Sequence, residues 1–249
     1  MPIPSVDLDR SHVSPQRRPR GAAPAVLLAA AATIAGGLLL GRWLDDDALP
    51  WRAAALALGG SSLLLWLAAR RLSAPTFGAA NAVTLARAVL VLLLLACLGV
   101  AATGTLGWML VALGAVAAAL DGFDGALARG RGEASEFGAR FDMETDALLI
   151  LTLAALVWQH GKAGVWILLA GLLRYLFVAA SYASPRLGAA LPPSRRRQAV
   201  CVVQIVSLIG ALAPLVAPPS SGALALAGLL LLVWSFGVDV AWLARHARS

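Results

Sequence analysis

Apolar residues in this chain gather into long, nearly uninterrupted blocks separated by short polar breaks. The blocks run at about 24–41, 52–69, 82–101, 106–127, 139–158, 164–182, 198–216 and 222–243. Each is close to the roughly 20 residues that an apolar helix needs to cross a bilayer. The pattern therefore predicts an all-α fold, a polytopic membrane helical bundle of about eight transmembrane helices. Residues 1–22 are polar, rich in Pro and Arg and without apolar periodicity, and read as a disordered tail. The first block follows Arg17, Arg18 and Arg20, as the apolar part of a signal peptide would. The stretch "LLLGRWLDDD" offers no small-residue cleavage site, so an uncleaved helix is expected.

Charge supports the same count independently. Arg17, Arg18 and Arg20 precede the first block, Arg70 and Arg71 follow the second, and Arg129 and Arg131 follow the fourth. Arg195, Arg196 and Arg197 follow the sixth, and Arg245 and Arg248 follow the eighth. The alternate breaks are "DDD" at 45–47, "ATGT" near 102, "HGKAG" at 160–164 and "APPSS" near 219. Because cytoplasmic loops carry the excess of Lys and Arg, both termini and every basic loop are expected in the cytoplasm.

Composition narrows the class further. The chain has 249 residues, 60% hydrophobic and 13% charged, with a mean hydropathy of +0.81. A soluble domain carries about 25% charged residues. A net charge of +7, almost all of it arginine, raises nucleic acid as a partner, but in a membrane chain it is accounted for by the basic loops, and no nucleic acid is expected. Cys97 and Cys201 fall within apolar blocks and read as buried thiols, with no disulfide proposed.

One stretch breaks the apolar pattern. "DGFDGALARGRGEASEFGARFDMETD", residues 121–146, holds four of the ten aspartates of the chain. Asp121 and Asp124 are three apart on the end of one block, and Asp142 and Asp146 four apart on the start of the next. Those spacings put each pair on one helical face. Opposed faces would bring four carboxylates together at the cytoplasmic edge of the membrane. Ionised carboxylates do not stay together unpaired, since burial and mutual repulsion both oppose it. An all-oxygen site of this kind suits Mg²⁺, Mn²⁺ or Ca²⁺ rather than zinc. Gly122, Gly125, Ala126 and Ala128 leave the helix surface bare for a bulky ligand, and Arg129 stands where it can pair with a phosphate oxygen. Carboxylates, a metal, a bare face and an arginine together point to pyrophosphate chemistry. Glu133, Glu136, Arg131 and Arg140 read as solvated loop charges.

These residues carry a resemblance. Asp121, Asp124, Gly125, Ala128, Arg129, Gly138, Asp142 and Asp146 match D-x2-D-G-x2-A-R, eight residues, then G-x3-D-x3-D, the signature of the CDP-alcohol phosphatidyltransferases. Upstream, "NAVTLAR" resembles the N-x2-T-x2-R of that family's first helix through Asn81, Thr84 and Arg87, with Ala80 where a proline often stands. The resemblance implies a six-helix catalytic core at 73–249, preceded by a transmembrane hairpin at 23–72 that is additional to it. It implies transfer of a phosphatidyl group from CDP-diacylglycerol to a small alcohol, with release of CMP, in a bacterial inner membrane and with the site on its cytoplasmic face. Asp121, Asp124, Asp142 and Asp146 would hold two divalent cations, Mg²⁺ or Mn²⁺, and Asp146 would also be the general base. Asn81, Thr84, Gly125, Ala128, Arg129, Ser135 and Gly138 would bind the CDP-lipid. By the same analogy the chain forms a homodimer.

The acceptor is less legible. "ALLIL" after Asp146 and "DMETD" at 142–146 depart from the D-K-L and D-P-x2-D patterns of phosphatidylglycerophosphate synthases. Arg174 lies inside an apolar block, where an arginine normally has a partner, and Arg195, Arg196 and Arg197 stand at a cytoplasmic mouth. These four are the candidate acceptor-binding residues and favour a phosphorylated alcohol; enforcing topology and binding anionic lipid would place the triple arginine equally well. Two other functions compete. An intramembrane prenyltransferase also sets aspartates and magnesium on a diphosphate, but its acidic motifs lie far apart in sequence. A divalent-cation transporter would place its carboxylates near the bilayer midplane, not at one edge beside an arginine.

Overall fold

The computed structural model describes residues 22–71, 78–131, 136–183, 191–192 and 194–246. They form eight α-helices, and no strand occurs among the described residues. The first four are α1 (Ala22–Leu44), α2 (Leu49–Arg71), α3 (Ala79–Ala96) and α4 (Gly104–Arg131). The rest are α5 (Glu136–Gln159), α6 (Leu169–Ala183), α7 (Arg195–Leu212) and α8 (Ser220–His246), with a 3₁₀ turn at Val165–Leu168 leading into α6. The tail expected before Ala22 lies outside the described residues.

The fold is a polytopic helical membrane bundle. By length and composition α1, α2, α3, α4, α8 and the segment formed by the 3₁₀ turn with α6 are each able to cross a membrane. In the other two helices, α5 and α7, charge interrupts the apolar stretch: α5 carries Asp142, Glu144 and Asp146, and α7 opens on Arg195, Arg196 and Arg197. Both are central. Helix α5 packs on α3, α6 and α7, and α7 packs on α4, α5 and α8. Outward positions are apolar, with Leu28, Leu39, Trp51, Leu58, Val206 and Leu230 all exposed. That is the surface a helix bundle presents to hydrocarbon, where its backbone is already satisfied internally.

Several helix ends differ from the apolar blocks for local reasons. Helix α3 stops at Ala96, short of the block's end at 101, because the chain turns at Gly99 with φ of 89°, a conformation that glycine adopts without a Cβ penalty. Helix α7 stops at Leu212 rather than 216, since Pro214 brings no backbone N–H to continue the ladder.

The end of the bundle carrying the α1–α2, α3–α4, α5–α6 and α7–α8 connections is tied by polar contacts. Asp46 Oδ1 accepts from the N–H groups of Ala48 (2.9 Å) and Leu49 (2.7 Å), satisfying donors at the start of α2. The same carboxylate takes a two-point contact from Nη2 of Arg52, and Nη1 of that arginine donates to the Leu98 carbonyl in the α3–α4 turn. Gln159 clamps the α3–α4 turn, accepting from Gly99 N at 2.7 Å and donating to Val100 O at 3.1 Å. Lys162 Nζ donates to the carbonyls of Ala213 and Val216, just beyond the end of α7.

Apolar packing does the rest. Leu94, Leu106, Leu110, Leu149, Leu153 and Leu208 are wholly buried in one core. Small residues let helices approach: a Cβ on Gly171 of α6 would stand 2.5 Å from Leu151 Cα of α5. Helices α1 and α2 pair with each other and lean on α3. An apolar cavity of about 330 Å³ remains between that hairpin and α3, α5 and α6, with Thr33, Gly60, Leu85, Leu92, Phe141 and Leu148 among its lining.

Candidate active site

The carboxylates meet at the opposite end of the bundle. Helix α4 delivers Asp121 near its C-terminal end, and α5 delivers Asp142 and Asp146 from one face of its first three turns. One carboxylate oxygen from each lies within 4.8 Å of the other two. All three side chains are partly exposed, at 32%, 38% and 23% for Asp121, Asp142 and Asp146, so a ligand has access. Asp124 and Gly125 lie on α4 about one turn beyond Asp121, and the side chains of Asp124, Ala128 and Arg129 are outside the described residues. Ser135 lies outside the described residues altogether.

A residue absent from the expected carboxylate cluster stands at its centre. Arg87 of α3 is fully buried. Its Nη1 lies 2.6 Å from Asp142 Oδ1 and 2.9 Å from Asp121 Oδ1, and its Nη2 donates to Asp146 Oδ1. Its Nε donates to the Ala117 carbonyl at 3.2 Å, which fixes the plane of the guanidinium against α4. The planar fork serves several carboxylates at once in a way that a lysine ammonium does not. A signal for Arg87 existed in the sequence: it closes the N-x2-T-x2-R stretch and is an ionisable residue inside an apolar block.

The other expected residues divide. Asn81 and Thr84 are buried on α3, at three-residue intervals leading to Arg87 and so on neighbouring parts of one face, with Thr84 Oγ1 donating to Ala80 O at 3.1 Å. Gly138 lies on α5 one turn before Asp142. Cys201, read from sequence as an ordinary buried thiol, stands on α7, which packs against both helices that carry the aspartates. Three of the four candidate acceptor residues have partners of their own. Arg174 of α6 donates to Glu144 of α5, a residue on a different face of α5 from Asp142 and Asp146. Arg196 donates to Asp239 Oδ1, to Ser235 O at 2.6 Å and to Ser235 Oγ at 2.7 Å, joining α7 to α8. Arg197 lies 3.6 Å from Asp239 and donates to the Pro192 carbonyl. Arg195 is exposed at the first position of α7.

Three convergent carboxylates are a hard, all-oxygen donor set, and they fit Mg²⁺ or Mn²⁺ in chemistry and in number. The model of the CDP-alcohol phosphatidyltransferase family matches residues 77–236, from the approach to α3 into α8. The chain belongs to that family. No curated protein and no solved structure matches it.

Membership in the CDP-alcohol phosphatidyltransferase family makes the chain a membrane transferase of phospholipid biosynthesis, moving a phosphatidyl-type group from a CDP-alcohol to an alcohol. The matched segment contains every residue of the Arg87–carboxylate cluster and leaves out α1 and α2. In this phosphatidyltransferase fold, therefore, three helices of the family region build the cluster: among the described side chains α3 brings the cation, α4 one carboxylate and α5 two.

Proposed function

We propose that this phosphatidyltransferase moves the phosphatidyl group of CDP-diacylglycerol to a hydroxyl of a small alcohol and releases CMP, at the cytoplasmic face of a bacterial inner membrane. The convergence of Asp121, Asp142 and Asp146 within 4.8 Å, inside the family region, carries this reading. The alternating basic loops support the cytoplasmic side. A lipid donor suits a site on membrane helices, because its diacylglycerol part stays in the bilayer while the diphosphate reaches the aspartates.

Asp121, Asp124, Asp142 and Asp146 would hold two divalent cations, Mg²⁺ or Mn²⁺. When bound, such ions neutralise charge on the diphosphate and on the departing CMP. The chain's own groups do the remaining work. The acceptor oxygen forms a bond to the lipid-bearing phosphorus, and the bond from that phosphorus to the CMP oxygen breaks. Asp146 takes the proton that the hydroxyl loses, since a neutral hydroxyl is a weak nucleophile at pH 7. Asn81, Thr84, Gly125, Ala128, Arg129, Ser135 and Gly138 bind the CDP-lipid. Arg87, buried among the carboxylates, disfavours a cation pathway and so favours a transferase over a transporter.

A phosphorylated acceptor is the favoured class, with Arg195 the candidate whose exposure at the mouth of α7 leaves it open to a soluble ligand. Arg174, Arg196 and Arg197 would contribute by turning from Glu144, Asp239 and Pro192. The chain would act as a homodimer. The test is CMP release by the purified protein from CDP-diacylglycerol, with a panel of free and phosphorylated alcohols and Mg²⁺ or Mn²⁺. Mass spectrometry of the lipid product names the acceptor, and no CMP with any alcohol defeats the reading.

A further inference from the structure

Arg87 presents a physical problem that the transfer reaction by itself does not explain. A fully buried arginine, eight residues into a helix able to span a membrane, is costly unless its charge is matched. Among the described residues it is over-matched: one guanidinium faces three carboxylates, a net charge of about −2 when all are ionised. A negative excess is what a divalent cation relieves. The same Oδ1 atoms that Arg87 holds on Asp142 and Asp146 belong to the side chains that would ligate that ion.

We infer that Arg87 is the internal counter-cation of the site: it holds Asp121, Asp142 and Asp146 together when no divalent ion is bound, and gives up part of that hold when one enters. This rests on the proposal that the carboxylates bind metal. It makes Arg87 a positioning residue, acting on substrate only through the aspartates. Two consequences follow from the charge. Without Arg87 the carboxylates repel one another across α4 and α5, so the metal-free protein loses stability. The incoming ion then no longer competes with Arg87 for the oxygens or meets its charge, so it binds more tightly and restores what was lost.

The test uses the full chain in detergent micelles, as wild type and as Arg87→Gln, Arg87→Lys and Arg52→Gln. Arg52→Gln is the control, because it breaks a polar tie at the opposite end of the bundle. Thermal unfolding is followed in EDTA and across a Mn²⁺ titration, and Mn²⁺ binding is read by its paramagnetic resonance signal. In EDTA, Arg87→Gln is expected to unfold about 5 °C or more below wild type. Mn²⁺ should repair most of that loss, with a half-saturating concentration at least about fivefold lower than wild type. Arg87→Lys, which keeps the charge but not the fork, should lose less and also be repaired. Arg52→Gln should lose stability that Mn²⁺ does not restore. Recovery of Arg87→Gln only when Mn²⁺ is present throughout purification supports the inference. If Arg87→Gln cannot be recovered at all, Arg87→Lys decides, and absence of repair by Mn²⁺ overturns it. Wild type responding to Mn²⁺ while the Arg87 variants respond no more than wild type overturns this inference alone. No Mn²⁺ binding by any of the proteins defeats the metal reading and this inference together.

Discussion

Arg87 of α3 and Asp146 of α5 are joined by a direct hydrogen bond from Nη2 to Oδ1, although 59 residues separate them in the chain. The contact sets up a clean test of Asp146. An asparagine there still offers a carbonyl oxygen to Arg87 but has no basicity to take a proton. Asp146→Asn is therefore expected to fold like wild type and to release CMP at least about 100-fold more slowly. Wild-type CMP release from this variant excludes Asp146 as the base.

Removal of divalent cations should stop the reaction. With EDTA in excess, CMP release is expected to fall to background, and Mg²⁺ or Mn²⁺ added back should restore it. Asp121→Asn or Asp142→Asn removes one charged oxygen donor from the carboxylate cluster, and should weaken Mn²⁺ binding at least about tenfold. A direct binding isotherm checks this without reference to turnover.

The three arginines that open α7 should separate in function. Arg196 is held by Asp239 and Ser235, so Asp239→Asn is expected to lower stability by about 2 kcal/mol, read by thermal unfolding. Arg195 is exposed, and Arg195→Gln should leave stability unchanged. If the acceptor carries a phosphate, that variant raises KM for the acceptor about tenfold with kcat little changed.

The α1–α2 turn should be sensitive to acid. Burial pushes the Asp46 carboxyl up, but the Arg52 hydrogen bond, the Leu49 and Ala48 N–H groups and the Arg52 charge together hold it below its ordinary value of 3.8. A depressed folded-state pKa contributes stability that is present above the unfolded value and lost as pH falls through the folded one. Hydrogen exchange at the start of α2 should therefore rise as pH is lowered below about 4, after correction for the intrinsic rate. Asp46→Asn should abolish that acid-dependent step.

Close packing of α6 on α5 depends on one missing side chain. A Cβ at position 171 meets the backbone of Leu151, which cannot turn aside as a flexible side chain would. Gly171→Ala is expected to destabilise by about 1–3 kcal/mol despite the better helix propensity of alanine, and thermal unfolding measures it.

Much of this architecture was written in local pattern. Apolar blocks of spanning length, alternating basic loops and the paired aspartates at spacings of three and four depend only on helical periodicity and on the bilayer as solvent. Those same rules placed α5 and α7 as helices although their charges set them apart by composition. The convergence of Asp121 with Asp142 and Asp146 was legible because a short connection links their helices. Where turns overrode the pattern, a single residue was responsible, as at Gly99 and Pro214.

What the chain could not announce locally is who meets whom across the bundle. Arg87 and Arg174 look alike in sequence, each an arginine within an apolar block, yet one is buried among the carboxylates and the other pairs with Glu144 on another face of α5. Arg195, Arg196 and Arg197 are consecutive, yet the helical turn sends Arg196 and Arg197 toward Asp239 and leaves Arg195 exposed. Periodicity fixes the face on which a residue stands, because that is set within one helix. The partner of that face is set by how α3, α4, α5, α7 and α8 pack, and only the tertiary structure decides it.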